Sequence, residues 1–321
     1  MAPEILVIAL LALTLAAPHV LPLERVAPSS AAAVWFLALC LRAVTAVGAA
    51  FYFLTYFPQT DRFVALSDWC FHHNVLSIQV HLPGTLVVRA ATVVPSLLLA
   101  ASVLAGASLL LRARLYARRL VEGRAIGDGP MGSTVLDTDE LVVAVTRSGP
   151  ARLLVSGAAL SELDSEELAA GLHHELGHLR RAHRPLLLAA AWLRALCRWQ
   201  PGAAAAYRGL CFSLERDADE YALDQTRNPL ALASAICKTA TARSSAAPLV
   251  GLQGRTRVGL RLEYLLAGGR QRASLELERG VRVLAIAMLS LTLSVATSGP
   301  GFALARGITV PGLPSASSLH C

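Results

Sequence analysis

Four apolar runs, at roughly 5–23, 31–57, 90–111 and 281–304, limit what this chain can fold into. Each is long enough to cross about 30 Å of hydrocarbon at 1.5 Å per residue. With mean hydropathy +0.53 and 16% charged residues, the chain is too apolar for a soluble protein of 321 residues. The first run follows Met-Ala-Pro-Glu, with no positively charged leader, and therefore reads as a retained span rather than a secretory signal.

Arginine placement orients these spans. Arg112, Arg114, Arg118, Arg119 and Arg124 follow the third run, and Arg270, Arg272, Arg279 and Arg282 lead into the fourth. By the positive-inside rule both of those ends are cytoplasmic. Three transmembrane helices over 1–111 are therefore predicted, with an outer loop at about 58–89. A cytoplasmic domain follows over 112–280, then a fourth span and a short outer tail over 281–321. The net charge of +7 is accounted for by topology, so no nucleic-acid partner is invoked. Arg42 falls inside the second run, where a charge must snorkel or find a partner in the helix bundle.

This topology divides the cysteines. Cys40 lies in a span, Cys197, Cys211 and Cys237 lie inside, and Cys70 and Cys321 lie outside. No C-x-x-C pair occurs, which argues against a cysteine metal site. His72, His73 and His81 share the outer loop with Cys70 but fit no standard ligand spacing. Composition marks 121–134 and 243–256 as linkers.

Within the central domain, 141–146 and 152–156 are short β-rich runs joined by Ser-Gly-Pro, a hairpin signature. A helix follows, with Asp164 as N-cap, Glu167 as its capping-box partner, and Leu163 and Leu168 as a hydrophobic staple. Leu168, Leu172, Leu176 and Leu179 then form an apolar stripe. His174 and His178 project away from that stripe, one turn apart, on a face left free of the core.

Two imidazoles at i and i+4 can share one tetrahedral ion, and Glu175 beside the first can act on a bound water. A third ligand is found in "FSLERDADEYAL", residues 212–223. Glu215 on that helix would complete a His₂Glu set with an open fourth position. Asp219, one turn further, could accept the free ring N–H of His174. The ordinary alternative is an exposed acidic helix face. His173 and His183 are assigned to surface or interfacial positions.

"SELDSEELAAGLHHELGHLRRAH" followed by "LERDADEYAL" resembles the gluzincin-type integral membrane zinc metallopeptidases. The spans and the strands before the motif are similar to the antirepressor-type branch, related to β-lactam-sensing proteins. The HELGH wording is similar to the neighbouring HtpX-like quality-control proteases. "RLEYLL" at 261–266 resembles an arginine-bearing segment of both branches, whereas no His-Pro pair follows residue 240. The sequence contains no penicillin-binding sensor domain, so β-lactam sensing is not implied.

The resemblance implies a mainly α polytopic membrane protein with about four transmembrane helices and a cytoplasmic α+β zincin domain. It implies one Zn²⁺ held by His174, His178 and Glu215, with Glu175 as general base and Asp219 supporting His174. Arg261 and Tyr221 are candidates for stabilising the transition state, and 152–156 for an edge strand that pairs with extended substrate. The partners implied are the lipid bilayer and a protein substrate, such as a transcriptional repressor or a membrane protein. The location implied is the cell membrane, multi-pass, with the active site facing the cytoplasm. The alternatives are an HtpX-like quality-control protease and a non-hydrolytic receptor or zinc sensor. The run 185–198 is too short and too arginine-rich to span, and is predicted to lie against the membrane.

Overall fold

The computed structural model describes residues 2–55, 97–108, 110–112, 114–115, 123–145, 152–242, 255–266 and 274–305; over these the chain is mainly helical with one small sheet. The loop 58–89 with Cys70 and its histidines, the Ser-Gly-Pro turn, residues 243–254 and Cys321 lie outside the described residues. Helices α1 (Ala2–Val20) and α2 (Pro28–Thr55) come first, followed by a helical stretch at 97–108. Strands β1 (Ala125–Asp128), β2 (Thr134–Leu136), β3 (Val143–Val145) and β4 (Leu153–Ser156) form the sheet. Then come α3 (Gly157–Glu162), α4 (Ser165–Arg180), α5 (His183–Leu196), α6 (Ala203–Thr226), α7 (Pro229–Ala242), α8 (Arg255–Leu266) and α9 (Leu275–Ala305).

Two of the four predicted spans are long and apolar enough to cross a membrane, Pro28–Ala50 within α2 and Leu275–Ala296 within α9. The other two contain shorter apolar helices, Ala9–Val20 and Leu97–Arg112. α2 and α9 pack side by side and start at the same level. Pro28 occupies the first turn of α2, where a missing N–H costs nothing. Near the start of α9, Glu278 accepts from the Ala27 backbone N–H at 3.1 Å and from the Ser30 hydroxyl. A carboxylate there satisfies an orphan donor and suits the positive end of the α2 dipole.

The largest core lies between these long helices and the α5–α6 hairpin. Val26, Val34, Leu39, Cys197, Leu210, Val281 and Met288 are all buried in it. α5, the run expected to lie against the membrane, packs along α2 and α6, with Ala190 and the following Cys197 buried in this core. Arg42 does find partners in the bundle. It donates to the carbonyls of Leu15, Ala38 and Pro201 and meets His19 Nε2 at 3.0 Å, which pins the hairpin tip to α1 and α2.

The sheet order is β1-β2-β4-β3. β1 and β2 form an antiparallel hairpin over 125–136, which takes up most of the stretch 121–134 that composition marks as a linker. Its glycines build the turn rather than a flexible tether: Gly129 N donates to Ser133 O at 2.7 Å, and Gly132 takes a positive φ of 73°. β3 and β4 pair antiparallel as their sequence indicates. The expectation that 152–156 is an edge strand is overturned. β4 pairs in parallel with β2 on its other side, Thr134 opposite Leu154 and Leu136 opposite Ser156, and all its residues are buried. The edge strands are β1 and β3, and β3 lies beside α4, where a Cβ at Gly171 would touch Val143 at 3.7 Å.

α4 begins as its sequence dictates. The Asp164 carboxylate accepts from the N–H groups of Glu166 and Glu167, and the Glu167 carboxylate accepts from Asp164 N–H, the reciprocal capping box. Glu167 reaches further still, to Lys238 at 2.6 Å and to the Ser234 hydroxyl, tying α7 to the start of α4. Leu163, Leu168 and Leu172 join Leu141, Val143 and Val155 to seat α4 on the sheet.

Gly209 is where α6 passes α2. A Cβ there would lie 2.4 Å from the rigid Trp35 indole. Alanine in a helix is favoured over glycine by about 1 kcal/mol, but overpacking costs about 1–3 kcal/mol, and at this separation the clash wins. Gly209→Ala should therefore lower the melting temperature of the purified protein, and adding Trp35→Leu should recover it. A Gly209→Ala variant as stable as the parent would refute this packing.

Candidate metal centre

α4 and α6 pack tightly at another glycine. A Cβ at Gly177 would lie 3.1 Å from Tyr221 Cβ and 3.2 Å from Ala218 Cα. The histidine face of α4 is therefore not free of the core: His174 and Gly177 are buried against α6. Sequence periodicity found the apolar stripe but could not see that a second helix covers the opposite face.

That contact brings the sequence-predicted ligands together. His174 Nε2 lies 3.4 Å from Glu215 Oε2, and His178 Nε2 lies 3.6 Å from Glu215 Oε1. The two imidazoles stand 5.0 Å apart at 87°, and the three ligand atoms lie within 4.8 Å of one another. Such separations are long for direct N–H···O bonds. They match the edge of a tetrahedron with bonds of about 2.1 Å, which is about 3.4 Å. Two imidazoles and a carboxylate at this spacing fit a divalent metal ion, and these three residues could hold one.

Asp219 and Arg261 stand behind the trio. Arg261 forks onto Asp219, with Nε at 2.8 Å from Oδ2 and Nη2 at 2.6 Å from Oδ1, while Nη1 reaches Glu215 Oε2 at 3.0 Å. The guanidinium is thus engaged in placing both carboxylates. Asp219 Oδ1 lies 2.9 Å from His174 Nδ1, a hydrogen-bond distance, but off the line of the ring N–H, so the contact is chiefly electrostatic. Tyr221 sits against Gly177, with the Arg181 guanidinium over its ring at 5.7 Å. Glu175, half-buried, adds its charge to the field around Arg261.

His178 has a partner that the sequence reading missed. His183, assigned there to a surface or interfacial position, is buried, and its Nδ1 lies 2.9 Å from His178 Nδ1. Its Nε2 lies 2.9 Å from Asp217 Oδ2, and Arg181 holds the same Asp217 carboxylate. The reason is local: Ala182 has φ 53° and ψ 36°, which ends α4 and turns His183 back toward it. A continued helix would have carried His183 to another face. His173 is not part of the ligand group.

The electrostatics suit a cation. Burial works against a charge on His174, but Asp219 and Glu215 beside it hold it protonated, its pKa pushed up to about 10. Burial pushes His178 down to about 3 despite the pull of Glu215. Burial opposes the charges of Glu215 and Asp219 as well, yet Arg261, followed by His174, keeps both carboxyls below the usual range. Glu215 keeps 40% of its side-chain surface open and is shielded less than the fully buried Asp219. Two carboxylates against one guanidinium leave a negative charge that a proton on His174 or a metal ion would neutralise.

Compared with known protein families, curated proteins and solved structures, the chain matches none of them. Its chemistry is therefore read from its own residues.

Metal binding must displace the proton from His174. Below a pKa of about 10, lower pH favours the proton and weakens the metal, so affinity should rise with pH. Calorimetry at pH 7–8 in buffers of different ionisation heats should show release of about one proton per ion bound, because His174 must be deprotonated to ligate. Binding without proton release would show that His174 is already neutral, contrary to this electrostatic picture.

Proposed function

We propose that the chain is a membrane-embedded zinc metalloendopeptidase of the gluzincin type, resembling the antirepressor-type peptidases. The observation that carries this reading is the placement of His174 Nε2, His178 Nε2 and Glu215 at tetrahedral separations, with Glu175 next to the first ligand. A zinc ion held by His174, His178 and Glu215 would supply Lewis acidity toward a peptide carbonyl and a water molecule. Glu175 would serve as the base that takes a proton from water and returns it to the leaving amine. Arg261 and Asp219 hold Glu215 and His174 through that proton transfer. An extended peptide has an edge strand to pair with in β3, beside α4, which takes the role the sequence reading gave to 152–156. A scaffold or zinc sensor has no need of the base Glu175, and this favours hydrolysis over binding alone.

The bundle supports a multi-pass reading with about four spans. α1 is tied to α2 through Arg42, and the 97–108 stretch packs on α5, with a Cβ at Gly106 meeting Ala195 at 3.0 Å. α2 and α9 start at a common level, and Arg279 and Arg282 lie at that end. The centre is therefore assigned to the cytoplasmic side. Its substrates would be cytoplasmic proteins, a repressor among them, or cytosolic parts of membrane proteins, in regulatory proteolysis.

Glu175→Gln should abolish peptide hydrolysis while leaving the metal bound, whereas Glu215→Ala should lose both. Metal analysis of purified protein beside a peptidase assay separates the roles. Hydrolysis that persists in Glu175→Gln rejects the assignment of the base. Loss of metal from that variant would make Glu175 a ligand.

Topology is testable on single-cysteine variants with an impermeant thiol reagent after reduction. Cys70 and Cys321 should label in sealed cells, while Cys237, exposed on α7, should label only after permeabilisation. Cys197 is buried and is a poor reporter. Labelling of Cys237 in sealed cells would place the centre outside.

A further inference from the structure

We propose that His183, backed by Asp217 and Arg181, is a positioning residue that selects the ligating nitrogen of His178. The proposal rests on the metal-binding reading above and extends it to residues outside the His-Glu-x-x-His pattern. The reasoning is hydrogen-bond bookkeeping. An ionised carboxylate only accepts, so Asp217 Oδ2, at 2.9 Å, requires the proton of His183 to sit on Nε2. With the proton placed there, Nδ1 of His183 is the acceptor on its other side. His178 Nδ1, at 2.9 Å, must donate to it. The proton of His178 is thereby held on Nδ1, and Nε2 keeps its lone pair on the side where Glu215 lies.

Three further features show that this chain of contacts is built in. His183 and Asp217 are 2% and 8% exposed, so water competes little for either ring nitrogen. Arg181 donates to both the backbone oxygen and the carboxylate of Asp217, which fixes the rotamer of the final acceptor. The turn that delivers His183 places Ala182 in the left-handed region, at a cost of about 1 kcal/mol for a residue with a Cβ. The two ligand histidines are thus held by different means. His174 faces Asp219 directly, whereas His178 reaches Asp217 through an intervening imidazole.

Two substitutions separate orientation from packing. In His183→Asn the amide oxygen replaces Nδ1 as acceptor for His178, and the donor to Asp217 is lost. In His183→Gln the amide nitrogen replaces Nε2 as donor to Asp217, and the acceptor for His178 is lost. Zinc affinity of the full-length protein in detergent is measured by competition with a chromogenic chelator. Cobalt absorption spectra report ligand geometry, and melting of the metal-free protein reports the fold. His183→Gln should bind zinc about 10–100-fold more weakly and alter the cobalt spectrum, in the range usual for a lost outer partner. His183→Asn should retain most of the affinity and the parental spectrum. Parental affinity in His183→Gln overturns the proposal, as does an equal loss in both variants that follows their melting temperatures. Failure of the unsubstituted protein to bind zinc at all would instead reject the underlying metal reading.

Discussion

The close approach of α4 and α6 at Gly177 is the contact on which the centre depends. Without a Cβ at that position, the α4 backbone can rest almost directly on Ala218 and Tyr221. His174 and His178 flank this glycine and are pressed toward Glu215 across the helix interface. A side chain at Gly177 would move the helices apart by a few tenths of an ångström or more. That displacement matters, because a shared ion tolerates only small deviations in ligand distance.

Arg261 converts this packing into an electrostatic site. Glu215 and the fully buried Asp219, with the half-buried Glu175 adding to the field, would repel one another. The guanidinium from α8 neutralises part of that charge and fixes the geometry of Glu215 and Asp219 with three hydrogen bonds. Planar, forked donation is what arginine offers and lysine does not. The remaining negative charge is what a cation would balance, and the raised proton affinity of His174 expresses the same preference.

α6 also connects the centre to the apolar bundle. This one helix of 24 residues, about 36 Å long at 1.5 Å per residue, begins at the hairpin tip held by Arg42 and later carries Glu215, Asp217 and Asp219. Its first half is locked against α2 by the Gly209–Trp35 contact. The third ligand and both outer carboxylates are therefore placed by the same rigid element that packs on the candidate spans.

Much of this was legible in the residues because it is local. The capping box at Asp164 and Glu167, the i, i+4 spacing of His174 and His178, the β3–β4 hairpin and the long apolar helices each depend on neighbours within a few positions. The acidic pair Glu215 and Asp219 could be nominated by its own helical spacing. Other features depended on tertiary structure. Strand pairing with β2 put β4 inside the sheet, and a glycine-rich run became a hairpin rather than a linker. The cover that α6 places over the histidine face depends on Gly177, whose small size has meaning only once two helices meet there. His183 escaped notice because one backbone angle at Ala182, not helical periodicity, decides where it points. Periodicity along one chain segment states which side chains share a face. Only the packing of distant segments decides which faces meet, and the centre lies where two of them do.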